Sequence, residues 1–424
     1  MTSIFLGCIA DDFTGATDLA NNLVRAGMRV VQTVGVPEEP LNESVDAVVV
    51  SLKSRTIAPQ QAVEQSLAAL RWLQAQGAKQ IYFKYCSTFD STEQGNIGPV
   101  ADALMTALET DFTIATPAFP DAGRTVYQGY LFVGDVLLNE SGMQDHPLTP
   151  MRDPNLVRVL KPQTRHVVGL VNYRATTDSA QAVLARFEAL QESGVGIAIV
   201  DAVGNDDLLR IGAAAADLKL VTGGSGLAIG LPANFGIEPN AQAAVLPVST
   251  GQRAIVSGSC SRATQAQVAN FIESGGQAVA LDPVGLSQDR AKLEQYRADA
   301  VAAMAKGPVL VYSTTTPEQL AQVQSSLGAM QAGEMVEQWL ASIACSLVEA
   351  GAGQLIVAGG ETSGAVVQAL GIEQLRIGAQ IDPGVPWCHG VARLAGGALP
   401  LHISLKSGNF GGVDFFTRAF EVLA

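Results

Sequence analysis

At 424 residues the chain is too long for one typical core, so two domains are expected. It is 48% hydrophobic and only 16% charged, which excludes a disordered chain. Its net charge of −14 opposes general binding to nucleic acid or to an anionic membrane, yet leaves room for a small anion in one locally basic pocket.

The apolar run Ile4–Ile9 predicts a buried first strand, and Leu19–Val24 predicts a helix that ends at Gly27. Between them stand Asp11 and Asp12, at the strand end where open parallel sheets hold ligands. A plainer reading is that one of the two merely caps the helix. Further strands are expected at Val30–Val34, Ala47–Leu52, Gln80–Phe83, Thr113–Thr116, Val167–Val171 and Ile197–Val200. Amphipathic stretches at Gln60–Gln76, Pro99–Leu108 and Ser179–Glu192 alternate with them. This alternation predicts parallel sheets covered by helices.

Pro232 to Gln252 lacks periodicity and is rich in Pro, Ala, Asn and Gly, so it reads as a connector. The expected division is a first domain over 1–235, a linker over 236–252 and a second domain over 253–424. The α/β pattern restarts at Ala254–Val256 and runs through Ala278–Leu281, Val309–Tyr312 and Leu355–Val357. The Gly- and Pro-rich tail, Leu375 to Phe416, predicts some antiparallel strands. The fold class is therefore α/β, with two α/β domains of mostly parallel strands.

The five cysteines are Cys8, Cys86, Cys260, Cys345 and Cys388, widely spaced and without a CxxC pair. That suits a reducing cytoplasm and carries no zinc signature. Met1–Ala10 lacks a basic signal-peptide start, and no apolar run reaches membrane-spanning length.

In the second half, Ala358-Gly-Gly-Glu-Thr-Ser-Gly364 joins the strand Leu355–Val357 to a helix expected at Ala365–Leu370. Its glycines let an anion approach backbone N–H groups, and its hydroxyls add donors. Ser257-Gly-Ser-Cys-Ser261 repeats the arrangement, and Lys406-Ser-Gly-Asn-Phe-Gly-Gly412 adds a cation. The candidate anion contacts are Ser257, Ser259, Gly359, Gly360, Glu361, Thr362, Ser363, Gly364, Lys406, Gly408 and Asn409. None of these loops is a GxxxxGK[ST] phosphate loop.

In the first half, the strand ends bring Lys84, Ser87, Asp90, Ser91, Arg124 and Arg55 towards Asp11 and Asp12. Cations for a carboxylate, with carboxylates and hydroxyls for OH groups, suit a polyhydroxylated acid. The plainer reading is an ion-pair network that stabilises loops. Thr222-Gly-Gly-Ser-Gly226 either touches phosphate or packs near the hinge. His146 contacts ligand, bridges domains or lies on the surface. His166, His389 and His402 show no metal or triad spacing.

The strings IADDFTGATD, FKYCSTFDST, GRTVYQGYLFV, LVTGGSGLAIGL, SGSCS, VAGGETSG, PGVPW and LKSGNFG, in this order, resemble the four-carbon acid sugar kinase family over essentially the whole chain. The segments Ile81–Val100, Arg124–Val133 and His146–Met151 look most like its branch acting on 3-oxo-tetronate; D-threonate and D-erythronate are the alternative substrates. The resemblance implies an N-terminal domain for the sugar acid and a C-terminal domain for ATP, with transfer to the terminal hydroxyl and Mg²⁺ as companion ion. It puts ATP contacts on Ser259, Gly360, Glu361, Thr362, Ser363 and Gly408. Asp12, or Asp11, would accept or orient the hydroxyl proton, and metal ligands stay unassigned. Partners are then the acid and ATP, with no nucleic acid or membrane; a homodimer is one option, since the sequence does not give the oligomeric state. Rival readings are a two-domain solute-binding protein and an enzyme using Cys86 or Cys260.

Overall fold

The computed structural model describes residues 4–41, 43–146, 148–289, 291–314 and 329–423. The chain divides into two compact units, Met1–Ala244 and Val245–Ala424.

The first unit is built on β1 (Leu6–Ala10), β2 (Val30–Val34), β3 (Ala47–Ser51), β4 (Gln80–Lys84) and β5 (Thr113–Thr116). A small antiparallel sheet follows, of β6 (Arg124–Tyr127), β7 (Tyr130–Val133) and β8 (Val136–Leu137). The main sheet is completed by β9 (Val167–Val171), β10 (Val195–Val200) and β11 (Leu220–Gly223). Its order is β2-β3-β1-β4-β11-β5-β10-β9, and every pairing is parallel. β1 is buried at all five positions, as a strand covered on both faces must be. Register pairs Ala10 with Ser51 on one side and with Lys84 on the other. Asp11, Asp12, Arg55 and the residues after Lys84 therefore leave the sheet along one edge.

The helix Phe13–Arg25 buries Ala16, Leu19, Ala20, Leu23 and Val24 on one face. It stops where Gly27 takes φ +101°, a left-handed conformation that glycine adopts without strain. It starts six residues before the expected Leu19, because Asp12 caps it and its first turn is polar.

The second unit contains β12 (Gln252–Ser257), β13 (Gln277–Ala280), β14 (Val309–Tyr312), β15 (Ala352–Ala358), β16 (Gln374–Asp382), β17 (Val385–Leu394) and β18 (Gly397–Lys406). Their order is β13-β14-β12-β15-β18-β17-β16. The first five run parallel, and β17 and β16 are antiparallel additions. Ile255, Phe271, Ile356, Trp387, Phe415, Phe416 and Phe420 form its core, with Trp387 Nε1 donating to the Ala419 carbonyl at 2.7 Å.

The connector is not an open tether. Ala243 is 2% exposed and Asn240 Nδ2 donates to Gly27 O at 3.4 Å within the first unit. Pro247 O meets His402 Nε2 at 3.0 Å within the second. Among the described residues, no helix is long and apolar enough to cross a membrane.

Candidate functional site

In the first unit, backbone bonds weld the edge together. Asp11 N donates to Lys84 O, while Asp11 O accepts from the N–H groups of Ser54 and Arg55. This fixes four charged side chains. Arg55 grips Asp11 in a fork, Nε to Oδ2 at 2.9 Å and Nη2 to Oδ1 at 2.9 Å. The same Nη2 also reaches Asp12 Oδ1, and Nη1 stands 3.8 Å from Asp90 Oδ2. Lys84, 4% exposed, donates from Nζ to Asp12 Oδ1 at 3.2 Å.

Asp12 serves two roles at once. Its Oδ2 caps the helix by accepting from Gly15 N–H at 3.1 Å, and its Oδ1 faces the two cations. Burial alone would raise its pKa, but Arg55, Lys84 and the Gly15 N–H outweigh burial and hold the carboxyl well below the usual range. Asp11 moves the other way, because its burial exceeds the pull of Arg55. The capping and ion-network readings are thus both present.

Asp18 belongs to this neighbourhood and was missed by sequence reasoning, although it ends the string that begins at Ile9. Its Oδ2 accepts from Ser225 Oγ, and its Oδ1 is buried without a partner. Burial, against the Ser225 bond and the charge of Lys84, raises it to about 6. Arg124 also acts on Asp18 electrostatically. Arg124 Nη1 donates to the Ala122 carbonyl, while its buried Nε has no partner. Arg124 therefore keeps donor capacity that Arg55 has spent. Of the remaining expected contacts, Ser87 is half-buried and Asp90 Oδ1 accepts from Thr88 Oγ1 at 2.6 Å. Ser91 is turned inward, 1% exposed, and donates to Gln163 Oε1 at 2.7 Å.

The Thr222–Gly226 loop packs inside the first unit. A β-carbon at Gly223 would stand 2.7 Å from Thr116 O, and one at Gly224 2.8 Å from Pro117 O. Its glycines thus serve close backbone packing, and Ser225 is the residue it contributes to the charged edge. His146 Nδ1 accepts from Thr149 N–H at 3.0 Å and pins its own loop; Pro147 of that loop lies outside the described residues. Cys86 is pushed up to about 11 by burial, so at neutral pH it is a thiol and a poor nucleophile.

In the second unit, the three glycine-rich loops leave the same ends of the parallel neighbours β12, β15 and β18, and they bond to one another. Gly258 N and Ser259 N donate to Ala358 O, Gly359 N donates to Lys406 O, and Ser261 Oγ donates to Gly408 O at 2.5 Å. The helix after β15 begins at Gly360 and not at the expected Ala365, since tertiary bonds override its weak helix formers. Gly359 takes φ +126° there, and Ser363 Oγ returns to Gly359 O at 2.7 Å.

The expected contacts split into two groups. Ser257, Thr362, Ser363 and Lys406 are buried scaffold, with Ser257 Oγ bonded to Thr314 Oγ1 at 2.7 Å. Ser259, Gly364 and Gly408 are half-buried, and Gly360, Glu361 and Asn409 are exposed. The expectation of Lys406 as a cation facing phosphate is corrected. It is 0% exposed, and its ammonium is enclosed by oxygens of its own loop and of Thr264. A β-carbon at Gly360 would meet nothing within 4 Å, so its α-carbon faces open space.

Comparison with known proteins matches residues 6–231 to a sugar-binding N-terminal domain family and residues 254–416 to a nucleotide-binding C-terminal domain family. The chain is 55% identical to a protein of Cupriavidus necator named 3-oxo-tetronate kinase, over 99% of this chain and 97% of that one. It is 55% identical to a protein of Pseudomonas fluorescens with the same name, again over 99% and 97%. A Haemophilus influenzae crystal structure superposes with TM-score 0.82 at 44% identity, covering 99% of this chain and 100% of that one. A Salmonella typhimurium protein, described provisionally as a tRNA synthase, superposes with TM-score 0.89 at 45% identity, covering 98% of each. With both domain families matched in order and close relatives matched along their whole length, the chain belongs to the four-carbon acid sugar kinase family.

Proposed function

We propose that this chain is a cytoplasmic ATP-dependent kinase that converts 3-oxo-tetronate to 3-oxo-tetronate 4-phosphate. The observation that carries this reading is the Asp11–Asp12–Arg55–Lys84 edge in the sugar-binding unit, in a chain whose relatives at this identity are named for that activity. The 4-hydroxyl oxygen attacks the γ-phosphorus, the bond from phosphorus to the β-bridging oxygen breaks, and ADP leaves as the hydroxyl proton departs. Catalysis of this kind rests mainly on positioning and charge. In this reading Arg124 and Lys84 hold the substrate carboxylate. Asp12, kept ionised by its cations, is a weak base. It orients the hydroxyl and takes its proton late, once the phosphorus–oxygen bond has formed.

The loops Ser257–Ser261, Ala358–Gly364 and Lys406–Gly412 hold the nucleotide through backbone N–H groups and the hydroxyl of Ser259. Mg²⁺ neutralises phosphate charge when bound. Among the described residues no group of three or more His, Cys, Asp or Glu could hold a metal, and Glu361 is the carboxylate that the Ala358–Gly364 loop would offer to such an ion. A second copy of the chain is its expected macromolecular partner, to be checked by light scattering. The test of function is a screen of four-carbon sugar acids with ADP release and product mass as readouts. Expected is a clear preference for 3-oxo-tetronate. Preference for threonate or erythronate would move the chain to another branch, and no phosphorylated acid at all would sink the reading.

A further inference from the structure

The second unit contains a buried lysine with no acidic partner among the described residues. Lys406 Nζ donates to Thr264 Oγ1 at 3.1 Å, to Ser407 O and Gly408 O at 3.1 Å each, and to Phe410 O at 3.2 Å. Gln267, 1% exposed, extends the same pattern, its Nε2 donating to the carbonyls of Phe410, Gly411 and Gly412 at 2.9–3.0 Å. Thr264 Oγ1 adds a bond to Gly408 O at 2.8 Å. Five carbonyls of one short loop are thus drawn inward. No peptide bond here is cis, so each N–H points opposite to the carbonyl of the same peptide plane. Pulling in the carbonyls of Ser407, Gly408 and Phe410 turns out the N–H groups of Gly408, Asn409 and Gly411. Among the described residues, no hydrogen bond uses these three N–H groups. Outward N–H groups on successive residues form an anion-binding concavity.

We infer that Lys406 is the positioning residue of the nucleotide's phosphates: it acts from behind the loop, where its ammonium sets the outward N–H groups and lends them a positive charge. The inference rests on the nucleotide-binding reading of this unit. A surface lysine would meet phosphate directly and lose rotamer freedom on doing so. A lysine already fixed by four oxygens loses none and leaves the backbone to make the contact. Burial brings Lys406 down to about 7, while its four acceptors oppose that by favouring the charged form. The charged groups on the elements around it are Asp382 and Arg418, paired with each other beyond Gly412, Asp414 beside Arg418, and Arg262 and Glu361 at exposed helix starts. None of them shifts Lys406, so its own proton controls the charge behind the loop.

The experiment compares ADP with adenosine, both by calorimetry, on the wild type and on Lys406→Met. Expected is a ten- to hundredfold weaker ADP affinity in the variant, about the value of bonds to a charged group, with adenosine affinity unchanged. Equal loss for both ligands would mark Lys406 as scaffold only, and unchanged ADP affinity would also overturn the inference. If Lys406→Met fails to fold, the wild type decides. Between pH 7 and 9.5, above the phosphate's own titration, ADP affinity should fall by up to about tenfold per unit as the free protein loses the proton, while adenosine stays flat. A flat ADP profile overturns it. A wild type that binds neither ligand refutes the nucleotide reading itself, and is distinguishable from failure of this inference alone.

Discussion

Lys84 Nζ occupies the space that a β-carbon on Gly15 would need, and from there it donates to Asp12 Oδ1 at 3.2 Å. The glycine inside the string beginning at Ile9 is therefore a seat for a cation and not a loop flexibility device. Gly15→Ala should keep the helix, where alanine is favoured by about 1 kcal/mol, while displacing the ammonium and the Asp12 oxygen it bonds, both of which would crowd that β-carbon. Affinity for the sugar acid should drop roughly tenfold or more, with ADP affinity unchanged. Circular dichroism and calorimetry check both. Normal acid affinity in a folded Gly15→Ala protein would show that Lys84 is not part of the acid site.

Asp11 and Asp12 are adjacent in sequence but differ in duty. Asp11 is forked to Arg55 and 6% exposed, whereas Asp12 holds Lys84, Arg55 and the helix cap. Asp11→Asn should mainly destabilise, because it leaves a buried guanidinium underpaired. Asp12→Asn should lower kcat by about 10²–10⁴ with little change in ADP affinity. Asn caps a helix as well as Asp, so the separate stability cost comes from leaving Arg55 and Lys84 underpaired. Rapid-quench turnover and urea unfolding separate the two effects. Should Asp12→Asn retain full kcat, capping is its whole role.

Gly359 and Gly360 make a similar contrast. Gly359 sits at φ +126°, and a β-carbon there would stand 2.8 Å from Thr362 Oγ1. Gly360 has open space at its α-carbon. Gly359→Ala is therefore expected to cost about 1–3 kcal/mol of stability. Gly360→Val should leave the free protein's melting temperature close to wild type while abolishing ADP binding. Intact ADP binding in Gly360→Val would remove this loop from the nucleotide site.

Much of this was legible because periodicity marks the strands and because parallel topology gathers their ends. Val30–Val34, Thr113–Thr116, Val167–Val171 and Val309–Tyr312 come out residue for residue, although Gln32 and Thr33 interrupt the first, threonines bound the second, and the third is exposed at Val167 and half-buried through Leu170. The hairpin β6–β8 stayed hidden, as its strands are short and half-exposed and carry no clean alternation. The place of Lys406 was illegible for a different reason. Composition treats a lysine in a glycine-rich loop as exposed, while here three loop carbonyls and Thr264 replace its water. Asp18 escaped notice because a single acidic residue in a helix reads as surface, and only the fold brings Ser225 to it.

Arg124, at the charged edge, keeps an unpartnered donor among the described residues, its buried Nε. A bound carboxylate would satisfy that atom, so Arg124→Ala should raise KM for the acid about ten- to hundredfold and leave KM for ATP nearly unchanged. Arg124→Lys should recover only part, since an ammonium cannot offer the fork. Equal rises in both KM values would place Arg124 at the phosphates or reveal an unfolding variant.

Asp18 supplies a prediction in pH. Its folded pKa is about 6, above the ordinary 3.8, because it is buried. Between these values the folded state binds more protons than the unfolded one, so wild-type stability gains as pH falls through 6 and the gain levels off below about 4. Above pH 6 the buried charge is a standing cost. Asp18→Asn cannot ionise and keeps an oxygen for Ser225 Oγ, so it should be more stable than wild type at pH 7.5, by on the order of 1–3 kcal/mol. That advantage should fade towards zero near pH 4. Urea unfolding of both proteins at matched pH isolates the Asp18 charge together with its coupling to Lys84, Asp12 and Arg124. A difference that stays constant with pH, or a variant less stable at pH 7.5, would contradict the assignment. A variant that is more stable yet impaired in turnover would mean that the charge is kept at the expense of stability because the reaction uses it.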